Sequence, residues 1–197
     1  MVSAAVNGAI FLVTLVITLT YLCRKDGKWS PETCRFAFRF FTVQSNVLCA
    51  VTALIMCVYQ LAGDVPRWVW ALKYIGTAAV SLTMVTVFVY LAPMLRSLSK
   101  LLSKQDFFLH FLTPAMALVS FCVFERRGMD FPTALLGMLP LLYYGPLYLY
   151  KVIYAPEGKR WDDFYAFNKG GKWPLAFALM AGMMFLICMG IMGLQNV

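Results

Sequence analysis

The sequence predicts an all-α integral membrane protein, built as one bundle of six transmembrane helices. Of its 197 residues, 61% are hydrophobic and only 13% are charged, whereas an ordinary soluble domain has about 25% charged residues. A soluble fold of this length has too little interior to hide that much apolar surface. These proportions exclude a small soluble enzyme, a disordered chain and a nucleic-acid-binding module, in spite of the net charge of +8.

Six stretches are apolar and long enough to cross a bilayer core of about 30 Å, which takes about 20 helical residues. They are residues 2–22, 40–62, 69–93, 107–124, 131–154 and 174–194. Each is continuously apolar rather than alternating with a period of two, which favours helices over a membrane barrel. Five short loops join them, so residues 1–197 are predicted to form a single transmembrane domain.

The stretches differ in character. The first is rich in β-branched residues, and we expect a structural helix rather than a cleaved signal peptide, because it lacks a basic leading segment and a small-residue cleavage pattern. The fifth contains Pro132, Pro140 and Pro146, which predict kinks. In the last, Gly182 and Gly190 would allow close approach of a neighbouring helix.

Lysine and arginine are unevenly distributed between the two sides of the predicted bundle. Loops one, three and five with their flanks carry 13 of the 17, and the other four, Arg67, Lys73, Arg126 and Arg127, are assigned to loops two and four. Positively charged loops stay in the cytoplasm. We therefore expect loops one, three and five to be cytoplasmic and both termini to lie outside. Short loops and the lack of N-glycosylation sequons suit a bacterial inner membrane.

The cysteines predict neither a metal site nor a disulfide framework. No C-x-x-C spacing occurs, and His110 is the only histidine. These two observations argue strongly against a Cys/His zinc site. We interpret the cysteines as small buried apolar residues, and we expect no metal and no cofactor. The six are Cys23, Cys34, Cys49, Cys57, Cys122 and Cys188.

Polar residues inside a membrane span are costly, which makes them the first functional candidates. They are concentrated at the start of the second stretch, where spacings of three and four place most of them on one helix face. They are Arg39, Thr42, Gln44, Ser45 and Asn46. His110 lies near the start of the fourth stretch, at a similar depth, with Asp106 four residues before it on the same face.

Together these residues resemble the parts of a nucleophilic hydrolase. A hydroxyl nucleophile needs a base within hydrogen-bond reach and a third group that orients the base. Thr42 or Ser45 would supply the hydroxyl, His110 the base and Asp106 the orienting group. Arg39, Gln44 or Asn46 would stabilise an oxyanion.

Each of these residues also has a plainer interpretation. Asp106 suits the N-cap of a helix, Thr42 can bond back to its own helix, and amide side chains can join neighbouring helices. Loop five, with its alternating aromatic and charged residues, is either an interfacial aromatic belt or a lid over the polar face. Tyr144, Tyr148 and Lys151 share one face of the fifth stretch, which favours a pocket at that end.

Two segments resemble a known family. Residues 40–46 read FFTVQSN, similar to the FTxQSN signature of bacterial members of the androgen-induced membrane protein family, and residues 109–114 read LHFLTP, similar to that family's LHxxxP segment. Eukaryotic members are integral membrane hydrolases of fatty acid esters of hydroxy fatty acids. The resemblance implies Thr42 as nucleophile, matched by its position in the second span, and His110 as its partner.

The implied activity is hydrolysis of a membrane lipid ester through an acyl-threonine intermediate. Arg39, Gln44, Ser45, Asn46, Asp106 and Tyr144 are the expected substrate-binding or oxyanion residues. The implied partners are membrane lipids and a lipid ester or fatty acid ligand. The alternative is a carrier or binding protein for a lipid or carboxylate, because a polar stripe and a kinked helix also suit transport. A structural membrane protein without a pocket is the third interpretation.

Overall fold

The computed structural model describes residues 1–197, apart from the side chain of Lys100. Nearly all its regular structure is helical, which confirms the all-α class. Within the described chain, five helices are long and apolar enough to cross a membrane. They are α1 (Val2–Leu22), α3 (Phe41–Ala62), α4 (Arg67–Leu95), α6 (Gln105–Phe124) and α9 (Trp173–Asn196). Between them lie two short helices, α2 (Pro31–Ala37) and α5 (Leu98–Leu101).

The stretch at 131–154 is not one continuous helix. It consists of α7 (Phe131–Leu135), a 3-10 turn (Leu136–Met138), α8 (Leu139–Leu149) and a π-helical turn (Tyr150–Tyr154). Pro140 is the second residue of α8 and Pro146 lies inside it, and neither proline has a backbone N–H to donate. The stretch is therefore interrupted, and the number of long unbroken spans in the described chain is five rather than six.

One end of the bundle is closed by residues 155–172, which we call loop five. The Tyr165 hydroxyl accepts a hydrogen bond from the N–H of Phe41, at the start of α3, at 3.1 Å. The Tyr165 carbonyl accepts one from the Tyr90 hydroxyl of α4 at 2.8 Å. Loop five therefore packs onto the ends of two long helices, at what we call the loop-five end.

The opposite end is held by the last residues of α9. Gln195 donates from its amide to the Phe121 carbonyl at 2.6 Å and accepts from the Arg127 N–H at 3.1 Å. Arg127 in turn donates to the Val65 carbonyl at 2.6 Å. Residues 125–130, which we call loop four, are thereby tied to the loop after α3, at what we call the loop-four end.

The helices α3 and α4 approach each other most closely at Gly76. A Cβ built on Gly76 would lie 2.9 Å from the Cys49 Cα and would collide with the Thr52 hydroxyl. The expected close approach at Gly182 and Gly190 is absent, because a Cβ at either position would meet no described atom within 4 Å. Close packing at a glycine is thus found at Gly76 on α4 and not at these two positions of the last helix.

Loop one, between α1 and α3, is more ordered than a charged connector. It forms a hairpin of β1 (Arg24–Lys25) and β2 (Lys28–Trp29), followed by α2. Asp26 and Gly27 form the turn with φ of 51° and 76°, the left-handed conformation that Asp-Gly favours in two-residue hairpins. The sequence interpretation passed over this Asp-Gly signal.

The interpretation of the cysteines is wrong for one pair. Cys23 and Cys34 form a disulfide that joins the end of α1 to α2. Both flank the hairpin, so the bond closes a small loop at the loop-five end. Cys49, Cys122 and Cys188 are buried free thiols, in agreement with the interpretation, and Cys57 is half-buried.

The predicted location of Lys73 in a loop is also wrong. Lys73 lies within α4, and its side chain is completely buried. Only the three arginines Arg67, Arg126 and Arg127 therefore remain as loop or helix-end charges at the loop-four end. The charge asymmetry between the two ends is larger than the sequence analysis supposed.

Candidate functional site

A narrow crevice lies at the loop-five end between α3, α4, α8 and α9, with a free volume of about 40 Å³. Every residue that lines it is uncharged. Its walls are mainly aliphatic and aromatic, contributed for example by Leu82, Val87, Leu91, Leu141, Leu149 and Phe177. Six of the lining residues carry hydroxyl groups, and we call these residues the hydroxyl cluster: Thr42, Thr83, Thr86, Tyr144, Tyr148 and Tyr165.

Helical spacing places the two tyrosines of α8 in the crevice. Tyr144 and Tyr148 are four residues apart and their rings stack with centroids 5.8 Å apart. Gly145 between them allows α9 to approach, because a Cβ there would lie 3.1 Å from Cδ2 of Phe177 and closer still to Cε2. Tyr144 and Tyr148 therefore share one face, as predicted, whereas Lys151, predicted on the same face, is not among the residues that line the crevice.

Asp163 fixes the part of loop five that covers the crevice. Its carboxylate accepts hydrogen bonds from the Tyr148 hydroxyl at 2.8 Å and from the N–H groups of Phe167 and Asn168 at 2.9 and 2.8 Å. The Tyr165 N–H then donates to the Tyr148 hydroxyl at 3.1 Å. Of the two interpretations of loop five, this packing favours the lid.

Tyr165 is the loop-five residue that enters the bundle. Burial raises the pKa of Tyr165 to about 12, against the lowering effect of hydrogen bonds with the Phe41 backbone and with Tyr144 and Thr42. The phenol is therefore protonated at neutral pH and remains a hydrogen-bond donor beside Thr42.

Thr42 lies in the first turn of α3 and its side chain lines the crevice, half-buried. Its carbonyl accepts hydrogen bonds from the Ser45 hydroxyl at 3.1 Å and from the Asn46 amide at 2.8 Å. The structure therefore places the hydroxyl expected to act as nucleophile at the boundary between an apolar slot and a group of tyrosine hydroxyls.

His110 lies in a different environment. It belongs to a π-helical segment of α6 (Phe108–Leu112), and its Nδ1 is hydrogen-bonded to the Leu101 carbonyl at 2.6 Å. Asp106 is near enough to interact with it electrostatically. Among the described side chains, no hydrogen bond joins His110 to Thr42, and His110 is not one of the residues that line the crevice.

Asn46 connects the two helices that carry Thr42 and His110. Its amide nitrogen donates both to the Thr42 carbonyl at 2.8 Å and to the Leu109 carbonyl at 3.0 Å. Because one nitrogen bonds to both carbonyls, the turn that holds Thr42 lies against the turn that holds His110. This contact agrees with the expected similar depth of the two residues, although no hydrogen bond joins their side chains.

The remaining predicted residues have structural contacts. The hydroxyls of Ser45 and Thr83 are hydrogen-bonded at 2.8 Å, which joins α3 to α4. Gln44 donates to the Phe38 carbonyl at 2.7 Å, before the start of α3. Arg39 places its guanidinium 5.4 Å from the Phe36 ring centroid, and its carbonyl accepts from the Tyr144 hydroxyl at 2.7 Å.

The sequence analysis missed Thr86, which lines the crevice from α4. Its side-chain oxygen is buried and has no hydrogen-bond partner among the described residues. An unpaired buried hydroxyl is unfavourable unless a ligand or water completes it. The signal in the sequence was the pair Thr83 and Thr86, three residues apart on one helix face.

Comparisons with known proteins do not identify a family. No family model matches the sequence, and no curated protein or solved structure matches the chain. Inferences about its function therefore depend on the residues and the geometry of this chain.

Proposed function

We propose that this chain is an integral membrane protein that binds a lipid ester, with an acyl chain in the crevice and the ester group at the hydroxyl cluster. The observation that carries the proposal is the unpaired Thr86 hydroxyl in a crevice whose walls are mainly aliphatic and aromatic. A ligand carbonyl at this position would accept the hydrogen bond that Thr86 lacks, and its chain would cover the aliphatic walls.

The crevice lining favours a neutral and slender ligand. Because every lining residue is uncharged, the slot supplies no counter-charge for an ionised carboxylate, whereas an ester needs only hydrogen-bond donors. The small free volume suits an unbranched acyl chain. Flexible lining side chains such as Leu91 and Met180 would move aside when the chain enters. A ligand of this kind reaches the site from the surrounding bilayer.

Replacement of Thr86 with tryptophan tests this proposal, because the large ring would fill the slot. The matched control is Val89→Trp on the same helix, where Val89 is 66% exposed and faces away from the crevice. We expect wild type and the Val89 variant to retain a lipid ester through purification in mild detergent, measured by native mass spectrometry, and the Thr86 variant to lose it. Equal retention by all three proteins would contradict the proposal.

Hydrolysis of the bound ester is the second candidate function. Two observations favour it: Thr42 lines the crevice, and Asn46 holds the turn of Thr42 against the turn of His110. In this mechanism the Thr42 hydroxyl attacks the ester carbonyl and His110 takes its proton. His110 would first have to exchange its hydrogen bond with Leu101 for one with Thr42.

A fluorophosphonate probe separates binding from hydrolysis. We expect an active hydrolase to form an adduct on Thr42 that is lost in both the Thr42→Ala and His110→Ala variants, mapped by mass spectrometry, while Ser45→Ala retains it. An adduct on Ser45 would move the nucleophile by one helical turn. Absence of any adduct from folded protein that still retains lipid would leave binding as the function and reject catalysis.

We also propose that residues 131–154 form a sixth crossing of the membrane. Support comes from the contacts of their two ends: loop four before them is tied to the end of α9, and loop five after them packs on the start of α3. The segment thus begins at one end of the bundle and finishes at the other. Six crossings place both termini on the same side.

The orientation that we propose follows the charges, with loops one, three and five in the cytoplasm of a bacterial inner membrane and both termini outside. The disulfide favours the opposite side, because cytosolic thiols are generally kept reduced. Under our proposal, Cys23 and Cys34 are therefore free thiols in growing cells and form the bond after exposure to an oxidant.

Thiol labelling in intact cells tests this orientation. We expect a membrane-permeant maleimide to label Cys23 and Cys34 and an impermeant one to leave them unlabelled. The double variant Cys23→Ser/Cys34→Ser gives the background from the half-buried Cys57. Labelling by the impermeant reagent after mild reduction, together with protection of both cysteines before reduction, would place loop one outside.

A further inference from the structure

A second group of polar side chains lies inside the loop-four end, away from the crevice. Its centre is Glu125, which directly follows α6 and is only 4% exposed. The oxygen Oε1 of Glu125 accepts hydrogen bonds from the Ser3 hydroxyl at 2.6 Å, the Asn7 amide at 2.6 Å and the Ser120 hydroxyl at 2.9 Å. Three donors on one oxygen are the pattern of an ionised carboxylate.

Three polar atoms in this region have no hydrogen-bond partner among the described residues. They are Oε2 of Glu125, Oδ1 of Asn7 and Nζ of Lys73. Asn7 and Lys73 are completely buried. These atoms are complementary, because the two oxygens are hydrogen-bond acceptors and Nζ of Lys73 is a donor. A small molecule that bridges them would satisfy both kinds of group.

Lys73 and Glu125 lie on elements that pack together. Both are close enough to the Cys49 thiol to act on it electrostatically. Trp70, one turn before Lys73 on α4, donates from its indole N–H to the Glu125 carbonyl at 2.7 Å. Glu125 is therefore held against the turn of α4 that precedes Lys73, and Nζ of Lys73 and Oε2 of Glu125 make no direct hydrogen bond to each other.

We propose that Lys73 and Glu125 form a buried proton-binding site, in which ordered water bridges Nζ of Lys73 to Oε2 of Glu125. A single charge in the bilayer core costs several kcal/mol, so the resting site holds the neutral combination of one ammonium and one carboxylate. The bridging water accepts from Nζ and donates to Oε2, which pairs these two atoms and leaves Oδ1 of Asn7 as the third. Water and protons are small enough for this closely packed interior.

Proton uptake by the site forms one new bond, on the Glu125 carboxylate. A proton from the aqueous side binds Oε2 of Glu125, the O–H bond forms, and the net charge of the pair changes from zero to +1. The new hydroxyl then donates to Oδ1 of Asn7, the third unpaired atom. Polar side chains connect the other oxygen of Glu125 to the surface, because half-buried Gln60 donates to Ser3 at 2.8 Å and Ser3 donates to Oε1 of Glu125.

Few other ionisable groups face Glu125. Cys49 comes from α3 and Lys73 from α4, while Cys122 and Arg126 flank it on its own segment and interact electrostatically with each other. The half of α1 that contributes Ser3 and Asn7 carries no ionisable side chain. Among these groups, Lys73 is the cation whose side chain is completely buried.

Infrared spectroscopy of the purified protein in lipid nanodiscs tests the proposal, because a protonated carboxyl group has a carbonyl band that a carboxylate lacks. We expect acidification of wild type to produce such a band, identified as Glu125 by its absence from the isosteric Glu125→Gln variant. In Lys73→Met the band is expected at neutral pH already, since the carboxyl then has no neighbouring ammonium. Arg67→Met, which removes an exposed charge from the same helix, should behave as wild type.

Two results would overturn the proposal: identical acid difference spectra of wild type and Glu125→Gln, or a Glu125 band whose pH dependence is unchanged by Lys73→Met. Where Lys73→Met does not fold, the double variant Lys73→Met/Glu125→Gln replaces it. Removing both charges should restore a melting temperature above that of either single variant. A double variant no more stable than the worse single variant would show that the two residues are not a pair.

Discussion

Replacement of Asp163 by alanine is expected to release loop five from the crevice and to weaken binding of the lipid ester that we propose as its ligand. The change removes three hydrogen bonds to one carboxylate and leaves the buried Tyr148 hydroxyl without its acceptor. Hydrogen bonds to charged groups contribute about 1.5–3 kcal/mol each and are not fully additive, so we expect a local loss of about 2–4 kcal/mol. Lipid affinity should fall about tenfold or more, because tenfold corresponds to about 1.4 kcal/mol.

The neighbouring Asp162 provides the matched control. Its side chain is exposed, and Asp162→Ala removes the same charge from the same loop without touching the Tyr148 hydroxyl. Hydrogen exchange of the amides of Phe167 and Asn168 reports the loop directly, and native mass spectrometry reports lipid. Fast exchange and lipid loss in the Asp163 variant alone are expected. Equal behaviour of the two variants would show that loop five does not cover a binding site.

Replacement of Gly76 by valine is expected to prevent the bundle from folding normally. The added side chain would meet the backbone of Cys49 on α3, with the nearest backbone atom 2.9 Å from its Cβ, and backbone cannot move aside as a flexible side chain can. Overpacking of a core costs about 1–3 kcal/mol, and more when backbone has to shift. We expect a loss at the upper end of this range or beyond it, seen as a large drop in melting temperature in detergent.

Alanine at Gly190 is the control for this prediction. A Cβ there meets no described atom within 4 Å, and alanine is more favourable than glycine inside a helix by up to about 1 kcal/mol. The Gly190 variant should therefore be as stable as wild type or slightly more stable. A Gly76→Val protein with an unchanged melting temperature would contradict the close packing of α3 on α4.

The spans could be predicted from the sequence because their signal is local. Continuous apolar runs gave five helices whose ends differ from the structure by at most two residues. The stretch at 131–154 was harder, because hydropathy ignores the backbone donors that its prolines remove. The hairpin and disulfide of loop one were missed, because a count of loop charges contains no information about pairing within the loop.

The candidate site was predictable only in part. The face of α3 and the pair Tyr144 and Tyr148 follow from helical periodicity, so their shared location could be foreseen. The orientation of the His110 side chain could not be predicted, because it depends on a hydrogen bond with the Leu101 carbonyl, nine residues earlier in the chain. Lys73 was misplaced because a lysine near a helix end normally reaches solvent, and only tertiary packing shows that this one does not.

Photocrosslinking in native membranes tests the central claim most directly. A lipid ester with a photoreactive group near the end of its acyl chain would be added to membrane vesicles, irradiated, and the adducts mapped by mass spectrometry. Binding in the crevice predicts adducts on residues 82–91 and 141–149 that disappear in Thr86→Trp and persist in Val89→Trp. Adducts confined to lipid-facing residues such as Leu12 and Val51, with the same yield in both variants, would contradict it.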